Sequence, residues 1–252
     1  MPLDDNTGVY YEVHGSGQPL LVTLPLMASQ VEIFGQAAKP ILDGYLSRLR
    51  ERYCVLIVDY PSIGRSRDIA PQDLTVERVC ADLLGVATAA GFNRFAYWGY
   101  SWSGAVGLQL ATRSDRLTAL VIGGWPPLGG PYEGILQATL AKQSNPEPSS
   151  MTILRNKAQY TQWEHYYLSM LDWPEAASVA AIACPKMVYF GAEGDLVEAG
   201  TPILIASIIR ESRATLERQG WLVHEFENQG HGVCVLPDLV VPPVRGFLDA
   251  VL

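Results

Sequence analysis

The stretch WGYSWSGA, residues 98–105, follows an apolar segment and leads into a stretch with helical spacing. It contains two serines, Ser101 and Ser103, and each has a small residue two positions before it and two positions after it. Small-x-Ser-x-small is the pattern of a nucleophile elbow, a sharp strand-to-helix turn that exposes a serine hydroxyl. The stretch therefore predicts a strand–turn–helix unit in an α/β protein, with a reactive serine at the turn.

The size and charge of the chain narrow the classes of function. With 252 residues it is long enough for one large domain, or one domain with an insertion, around a sizeable core. A net charge of −8 disfavours nucleic acid as a partner, since an acidic surface repels phosphates. No apolar run approaches the roughly 18 residues of a membrane span, and the acidic start MPLDDNTG lacks the apolar core of a signal peptide. For the same reason we expect no membrane partner. The four cysteines are far apart in sequence, so we expect free thiols and a cytoplasmic protein.

Apolar runs of strand length alternate with longer stretches of helical spacing, which is typical of an α/β fold. Strands are expected near residues 9–13, 20–24, 55–59, 95–98, 117–122, 187–190 and 221–226. Residues 126–181 break this alternation, because they are rich in Tyr and Trp and contain no convincing strand. We expect core parts at 1–125 and 182–252, with 126–181 inserted as a helical lid over the ends of the sheet. The alternative is that these helices only extend the core.

A catalytic serine needs a base to take its proton and an acid to orient that base. Among the four histidines His231 is favoured, because it follows the last predicted strand in a glycine-flanked loop, whereas His224 lies inside that strand. Asp195 ends the turn Gly-Ala-Glu-Gly-Asp after the fifth buried strand and is the candidate acid. Glu193 is a nearby alternative, and an aspartate after glycine also suits ordinary turn chemistry.

With these residues in the order Ser, Asp, His, the chain resembles the α/β-hydrolase superfamily over essentially its whole length. The features that carry the resemblance are the elbow, the loop Asp59–Ser66 (DYPSIGRS), the acid turn ending at Asp195, and the pair Gly230-His231. The resemblance implies a doubly wound, mostly parallel sheet with a helical lid. It also implies a Ser101–Asp195–His231 triad that works without a metal or an organic cofactor.

The spacing of small residues after the elbow distinguishes the two serines. In the family the pattern continues as G-x-S-x-G-G-x-x-A-x-x-x-A, and Ser101 as nucleophile puts Gly104, Gly107 and Ala111 on one helix face. Ser103 as nucleophile would instead place large residues at these close-packed positions. We therefore predict Ser101 as the nucleophile, and we expect the Ser103 hydroxyl to satisfy a backbone group in the first helical turn.

The resemblance also implies an oxyanion hole made of two backbone N–H groups. One is that of Trp102, the residue after the nucleophile. The other matches Leu26, in the stretch Leu-Pro-Leu-Met that stands where the family often has His-Gly. Because Pro25 has no N–H, it puts the usual geometry of this hole in doubt.

Met27, Trp125 and Trp163 are the predicted substrate-binding residues, and they favour a small to medium hydrophobic ester. The structural alternative is that the aromatic residues only pack the lid against the core. Carboxylic-ester hydrolysis is the first hypothesis for the function. Thioesterase, lactonase, amidase and C–C bond hydrolase activities are alternatives with the same triad, and a ligand-binding, receptor-like protein is the alternative of another class. The expected partner is a hydrophobic small molecule, and the sequence leaves a homo-oligomer open.

Overall fold

The computed structural model describes residues 3–252, apart from the side chain of Ser149. The main sheet contains seven strands, which are β1 (Tyr11–His14), β2 (Gln18–Val22), β3 (Tyr53–Val58), β4 (Phe95–Tyr100), β5 (Leu117–Gly123), β6 (Lys186–Glu193) and β9 (Trp221–Gly230). A two-stranded hairpin, β7 (Leu196–Glu198) and β8 (Thr201–Ile203), follows β6.

Ten α-helices surround these strands in the described part of the chain. They are α1 (Gln30–Phe34), α2 (Lys39–Leu49), α3 (Val76–Ala89), α4 (Trp102–Arg113), α5 (Tyr132–Lys142), α6 (Pro148–Ile153), α7 (Gln162–Leu168), α8 (Glu175–Ala180), α9 (Ala206–Arg218) and α10 (Pro237–Val251). Within residues 3–252, no helix combines the length and the apolar character that crossing a bilayer would require.

The strand order in the sheet is β1-β3-β2-β4-β5-β6-β9. Only β1 runs antiparallel to its neighbour, and the other pairs are parallel, so the predicted doubly wound, mostly parallel sheet is confirmed. The chain passes from β2 to β3 on one side and then returns to add β4 on the other. In open α/β sheets such a reversal leaves a crevice at the carboxyl ends of the strands, where ligands bind.

Two apolar layers cover the two faces of the sheet. Along β2, Leu20 and Val22 pack in the layer that includes α2 and α10, whereas Leu21 packs in the layer that includes α3, α4 and α9. This alternation follows from the period of two along a strand. The central strands are apolar on both sides because helices cover both faces.

Residues 126–181 contain the helices α5, α6, α7 and α8, and in this segment no residue belongs to one of the nine strands. Its one β-type contact is an isolated bridge from Leu154 to Ile63. Side chains of α5, α6 and α7 contribute to the wall of the cavity described below. The division into a core and a lid at 126–181 remains a prediction, and the observed position of these helices is compatible with it.

Candidate active site

Ser101 occupies the turn between β4 and α4 and has a left-handed backbone, with φ +53°. Such a conformation is strained for a residue other than glycine, at a cost of order 1–3 kcal/mol. Three hydrogen bonds hold it: the Ser101 N–H donates to the Gly123 carbonyl at 2.7 Å, and the Ser101 carbonyl accepts from Gly104 at 2.8 Å and Ala105 at 3.2 Å. The strained turn therefore presents the hydroxyl of Ser101 at the carboxyl end of β4.

Small residues around the turn allow α4 to approach the sheet closely. A Cβ atom at Gly99 would collide with the Ser103 carbonyl, and one at Gly107 would lie 2.5 Å from the Tyr97 ring. Ser103 is fully buried, and its hydroxyl bonds the Tyr60 hydroxyl at 3.0 Å rather than the backbone group expected from sequence. Tyr60 lies in the loop after β3, and its ring is 4.6 Å from that of Trp102, the first residue of α4, measured between centroids. Ser101, and not Ser103, is the serine at the apex of the turn.

His231 begins a short 3-10 turn, residues 231–235, immediately after β9. Its Nε2 atom lies 2.9 Å from the Oγ atom of Ser101. Burial lowers the pKa of His231 to about 4, so the imidazole is neutral at pH 7 and able to accept a proton. His224 instead lies within β9, where its ring packs against Phe226 at 4.5 Å. The structure therefore brings together Ser101 and His231, as the sequence predicts.

The carboxylate of Asp195 makes its hydrogen bonds with the start of α9. It accepts hydrogen bonds from the Ile205 N–H at 2.7 Å, the Ser207 N–H at 3.1 Å and the Ser207 hydroxyl. These groups belong to the beginning of α9, where the first N–H groups of a helix have no partner within the helix. Burial opposes ionisation of Asp195, but the bonds from Ser207 and Ile205 outweigh it and hold the pKa of this carboxyl below its ordinary value.

The imidazole of His231 consequently lacks the acid contact expected from the sequence. Its Nδ1 atom is buried and has no hydrogen-bond partner among residues 3–252. Glu193, the alternative acid, is exposed at the end of β6. Glu198 in β7 lines the same cavity as His231, and its negative charge raises the pKa of the imidazole against the larger effect of burial. Sequence reasoning missed Glu198, although it follows the predicted acid by three residues.

The two predicted oxyanion donors differ in their availability. Trp102 is the first residue of α4, so its N–H has no acceptor within the helix. The N–H of Leu26 donates to the Thr23 carbonyl at 3.2 Å, and the Leu26 side chain packs in the layer that includes α2 and α10. Met27, one residue later, lines the cavity, and its N–H is 3.3 Å from the side-chain oxygen of Gln30. The turn after β2 thus directs the side chain of Met27, and not that of Leu26, into the cavity. The N–H groups of both residues have acceptors within the turn region, so the Leu26 N–H is not free as the sequence predicts.

A cavity of about 370 Å³ reaches both Ser101 and His231. The predicted substrate-binding residues Met27, Trp125 and Trp163 all line it. Its other apolar walls come from the core and from α5 and α6, namely Leu24, Ile63, Ile135, Ala138, Ile153, Leu196, Ile203 and Ile205. Such a wall accommodates an apolar group next to the serine hydroxyl.

The aromatic residues also pack the segment 126–181 against the core. The Trp102 ring lies 5.2 Å from that of Trp163 and 4.8 Å from that of Tyr166, measured between centroids. Trp125 lies 5.5 Å from Tyr132. Trp102, Trp125 and Trp163 therefore combine the two roles that the sequence left open, because each both lines the cavity and contacts an aromatic neighbour.

Charged side chains line one part of the cavity. The ammonium group of Lys142, at the end of α5, pairs with Glu198 and also lies 3.0 Å from Glu147. Burial alone would lower the pKa of Lys142, but the two carboxylates outweigh this effect and raise it. The lysine is therefore charged and compensated, and the cavity offers no uncompensated cation to an anionic substrate.

Comparisons with known proteins agree with this architecture. Residues 13–242 match the sequence model of the alpha/beta hydrolase family. A protein from Azorhizobium caulinodans named "Putative carbamate hydrolase RutD" is 30% identical over 128 residues, which are 48% of this chain. The match spans 43% of that relative's own length, less than half of it.

Solved structures of low sequence identity share the fold. A thermophilic esterase from Thermogutta terrifontis has a TM-score of 0.66 and 19% identity, with 96% of this chain and 93% of that chain covered. An enol-lactonase from Burkholderia xenovorans LB400 has a TM-score of 0.67 and 19% identity, with 96% of each chain covered. At this identity the two likenesses concern the fold alone.

Proposed function

Since the chain belongs to the alpha/beta hydrolase family, we propose that it is a serine hydrolase of small to medium hydrophobic carboxylic esters. Ser101 is the nucleophile of this proposal and His231 is its general base. The observation that carries it is the 2.9 Å separation between Ser101 Oγ and His231 Nε2, at a strained turn that opens into an apolar cavity. A serine hydroxyl needs this contact with a neutral imidazole, because it is a poor nucleophile alone.

The first half of the proposed reaction forms an acyl-enzyme. The Oγ atom of Ser101 attacks the ester carbonyl carbon while Nε2 of His231 takes the hydroxyl proton. The Trp102 N–H stabilises the oxyanion. The second donor of the proposal is the N–H of Leu26 or Met27, which must first leave the Thr23 carbonyl or Gln30 that it bonds in this structure. Removal of one such donor costs about 2.7–4 kcal/mol of barrier. The C–O bond to the alcohol then breaks, and the alcohol leaves with the proton held by His231.

The second half releases the acid. Water attacks the acyl carbon as its proton passes to Nε2 of His231, and collapse of the tetrahedral intermediate breaks the bond to Ser101 Oγ. The proton returns to that oxygen, so the enzyme is regenerated and water is the only co-reactant. A neutral His231 fits both halves, since it must accept a proton before it donates one.

The proposed support for the imidazolium is electrostatic and comes from Glu198, because no carboxylate bonds Nδ1 of His231 in the described chain. Asp195 has a positioning role in this proposal. By holding the Ile205 N–H it fixes the start of α9 and the cavity wall that Ile205 contributes. The triad role expected from the sequence would require the Asp195 carboxylate to leave Ser207 and reach the imidazole.

The substrate class follows from the cavity wall. Most of its residues are aliphatic or aromatic, and its one lysine is already paired with two glutamates. An uncharged acyl or alcohol group therefore fits better than an anionic one, which would meet the carboxylate of Glu198 in the wall. Carbamate hydrolysis is a second candidate, favoured by the 30% identity to the relative whose name carries that activity. Serine attack on a carbamate carbonyl would use the same residues.

The test is hydrolysis of p-nitrophenyl acetate and butyrate together with labelling by a fluorophosphonate probe. We expect stoichiometric labelling and turnover of both esters, and the loss of both in Ser101→Ala. Ser103→Ala is the matched control, since it removes a hydroxyl two residues away that bonds only Tyr60. A folded protein that neither reacts with the probe nor turns over either ester would refute the hydrolase and leave the ligand-binding alternative.

A further inference from the structure

Two hydrogen bonds connect the elbow to the turn that carries His231. One is the Ser101 Oγ–His231 Nε2 contact at 2.9 Å. The other comes from Tyr100, the residue before the nucleophile, whose hydroxyl donates to the main-chain carbonyl of His231 at 2.6 Å. The Tyr100 ring also lies 5.2 Å from the imidazole, measured between centroids. Consecutive residues of the chain thus hold both the side chain and the backbone of the candidate base.

The ring of Tyr100 is fixed in place by the end of β5. A Cβ atom at Gly124 would lie 2.5 Å from Cζ of Tyr100, and one at Gly123 would also collide with the ring. Tyr189 packs on the ring with a centroid distance of 5.6 Å. Tyr100 is only 2% exposed, so the two glycines form a tight seat that determines where its hydroxyl points.

Tyr100 anchors the main chain of His231 through its hydroxyl. The usual anchor of a catalytic histidine is an acid at Nδ1, and that atom has no partner among the described residues. Burial raises the pKa of the Tyr100 hydroxyl, so it stays protonated and remains a donor. Tyr100 does not line the cavity, and it therefore acts through His231 rather than on substrate.

We infer that Tyr100 is a positioning residue, which holds the backbone of His231 against the elbow so that Nε2 remains within hydrogen-bond reach of Ser101. The inference rests on the proposed function, since it assigns His231 the role of base. Orientation is a large part of catalysis, and a displacement of about 1 Å can cost on the order of 100-fold in rate. Loss of the Tyr100 hydroxyl should therefore lower kcat and leave the wall of the cavity, and with it KM, unchanged.

Tyr45 provides a matched control. Its hydroxyl donates to the Cys234 carbonyl at 2.7 Å, in the same 3-10 turn but three residues after His231. Tyr45 is fully buried, so Tyr45→Phe removes a similar hydrogen bond at a similar depth. A loss of activity due only to a loosened turn would affect both variants alike.

The experiment compares wild type, Tyr100→Phe, Tyr45→Phe and Ser101→Ala with p-nitrophenyl butyrate at a temperature where circular dichroism shows all four folded. We expect kcat to fall about 10-fold to 100-fold in Tyr100→Phe with KM within twofold, and to stay within threefold in Tyr45→Phe. The rate of fluorophosphonate labelling should fall in parallel with kcat. In Tyr100→Phe the acid limb of kcat/KM should move to higher pH. A mobile imidazole is better hydrated, so its pKa is lowered less by burial.

Equal losses in Tyr100→Phe and Tyr45→Phe, or a Tyr100→Phe variant within twofold of wild type, would overturn the inference while Ser101→Ala remained inactive. If Tyr100→Phe does not fold, Gly124→Ala tests the same contact, since its methyl group must displace the Tyr100 ring; unchanged kcat in that variant would overturn the inference as well. Failure of the proposed function looks different, because wild type itself would then show neither labelling nor turnover.

Discussion

The Oγ atom of Ser101 lies 2.9 Å from Nε2 of His231, although 130 positions separate the two residues in sequence. Ser101 lies in the first half of the chain and His231 in the second, and parallel strands bring them to one edge of the sheet. Ser101 follows β4 and His231 follows β9, and both strands end at the same side. The topology of the sheet therefore brings the two side chains together.

Removal of the Ser101 hydroxyl should abolish turnover. Loss of a nucleophile of this kind lowers kcat by roughly 10⁴-fold to 10⁶-fold, because the acyl-enzyme can no longer form. Ser101→Ala and Ser103→Ala, assayed by steady-state kinetics with p-nitrophenyl butyrate, test this. Ser103→Ala should retain kcat within about tenfold, and an active Ser101→Ala would exclude the proposed nucleophile.

The low pKa of His231 predicts activity that persists in acid. A general base must be neutral, and with a pKa of about 4 the imidazole stays neutral well below the ordinary histidine range. We expect kcat/KM to be constant from pH 8 to about pH 5 and to halve near pH 4. An acid limb near pH 6.5 would contradict the buried imidazole described above.

The low pKa of His231 preserves the base in acid, but it also makes the folded protein less stable there. Between roughly pH 6.5 and pH 4 the unfolded chain binds a proton at His231 that the folded protein does not, so the free energy of unfolding falls as pH decreases through this window. Chemical denaturation at pH 7 and pH 4.5 measures this. His231→Gln, which cannot titrate, should lose less stability over that interval than wild type.

Asp195 should matter for α9 more than for proton transfer. Its carboxylate bonds Ile205 and Ser207, so Asp195→Asn should reduce the free energy of unfolding by about 1 kcal/mol, as for other helix-capping groups. We expect kcat to fall less than about tenfold. Replacement of the acid in a working triad costs about 10⁴-fold, and a loss of that size would establish that Asp195 reaches His231 during turnover.

Glu198 should influence the pKa of the His231 imidazole. Its charge raises the pKa of His231, so Glu198→Gln should lower that pKa further, move the acid limb of kcat/KM to lower pH, and reduce kcat by weakening the imidazolium. Glu147→Gln is the control, because it removes the other carboxylate partner of Lys142. An upward movement of the limb in Glu198→Gln would contradict this role.

Local sequence patterns were sufficient for the elbow and for the parallel sheet. The small residues at 99, 104 and 107 are needed where α4 meets β4 and β5, and the buried strands are long apolar runs. These features depend on neighbouring residues, and the sequence pattern records them directly. The choice of Ser101 over Ser103 follows from the same spacing.

The surroundings of the acid turn could not be predicted, because they depend on a competition between distant groups. The hairpin β7–β8 has strands of only three residues, too short to show a strand period, and it leads directly into α9. The N–H groups at the start of α9 then bind the Asp195 carboxylate that the sequence assigns to His231. Similarly, the N–H of Leu26 donates to the Thr23 carbonyl, a bond within the turn after β2 that residue types do not reveal.

The most direct test of the central claim is intact-protein and peptide mass spectrometry after reaction with a fluorophosphonate. The account predicts one adduct per chain, located on Ser101, which forms in wild type and in Ser103→Ala but not in Ser101→Ala. An adduct on another residue, or none on the folded wild-type protein, would contradict it.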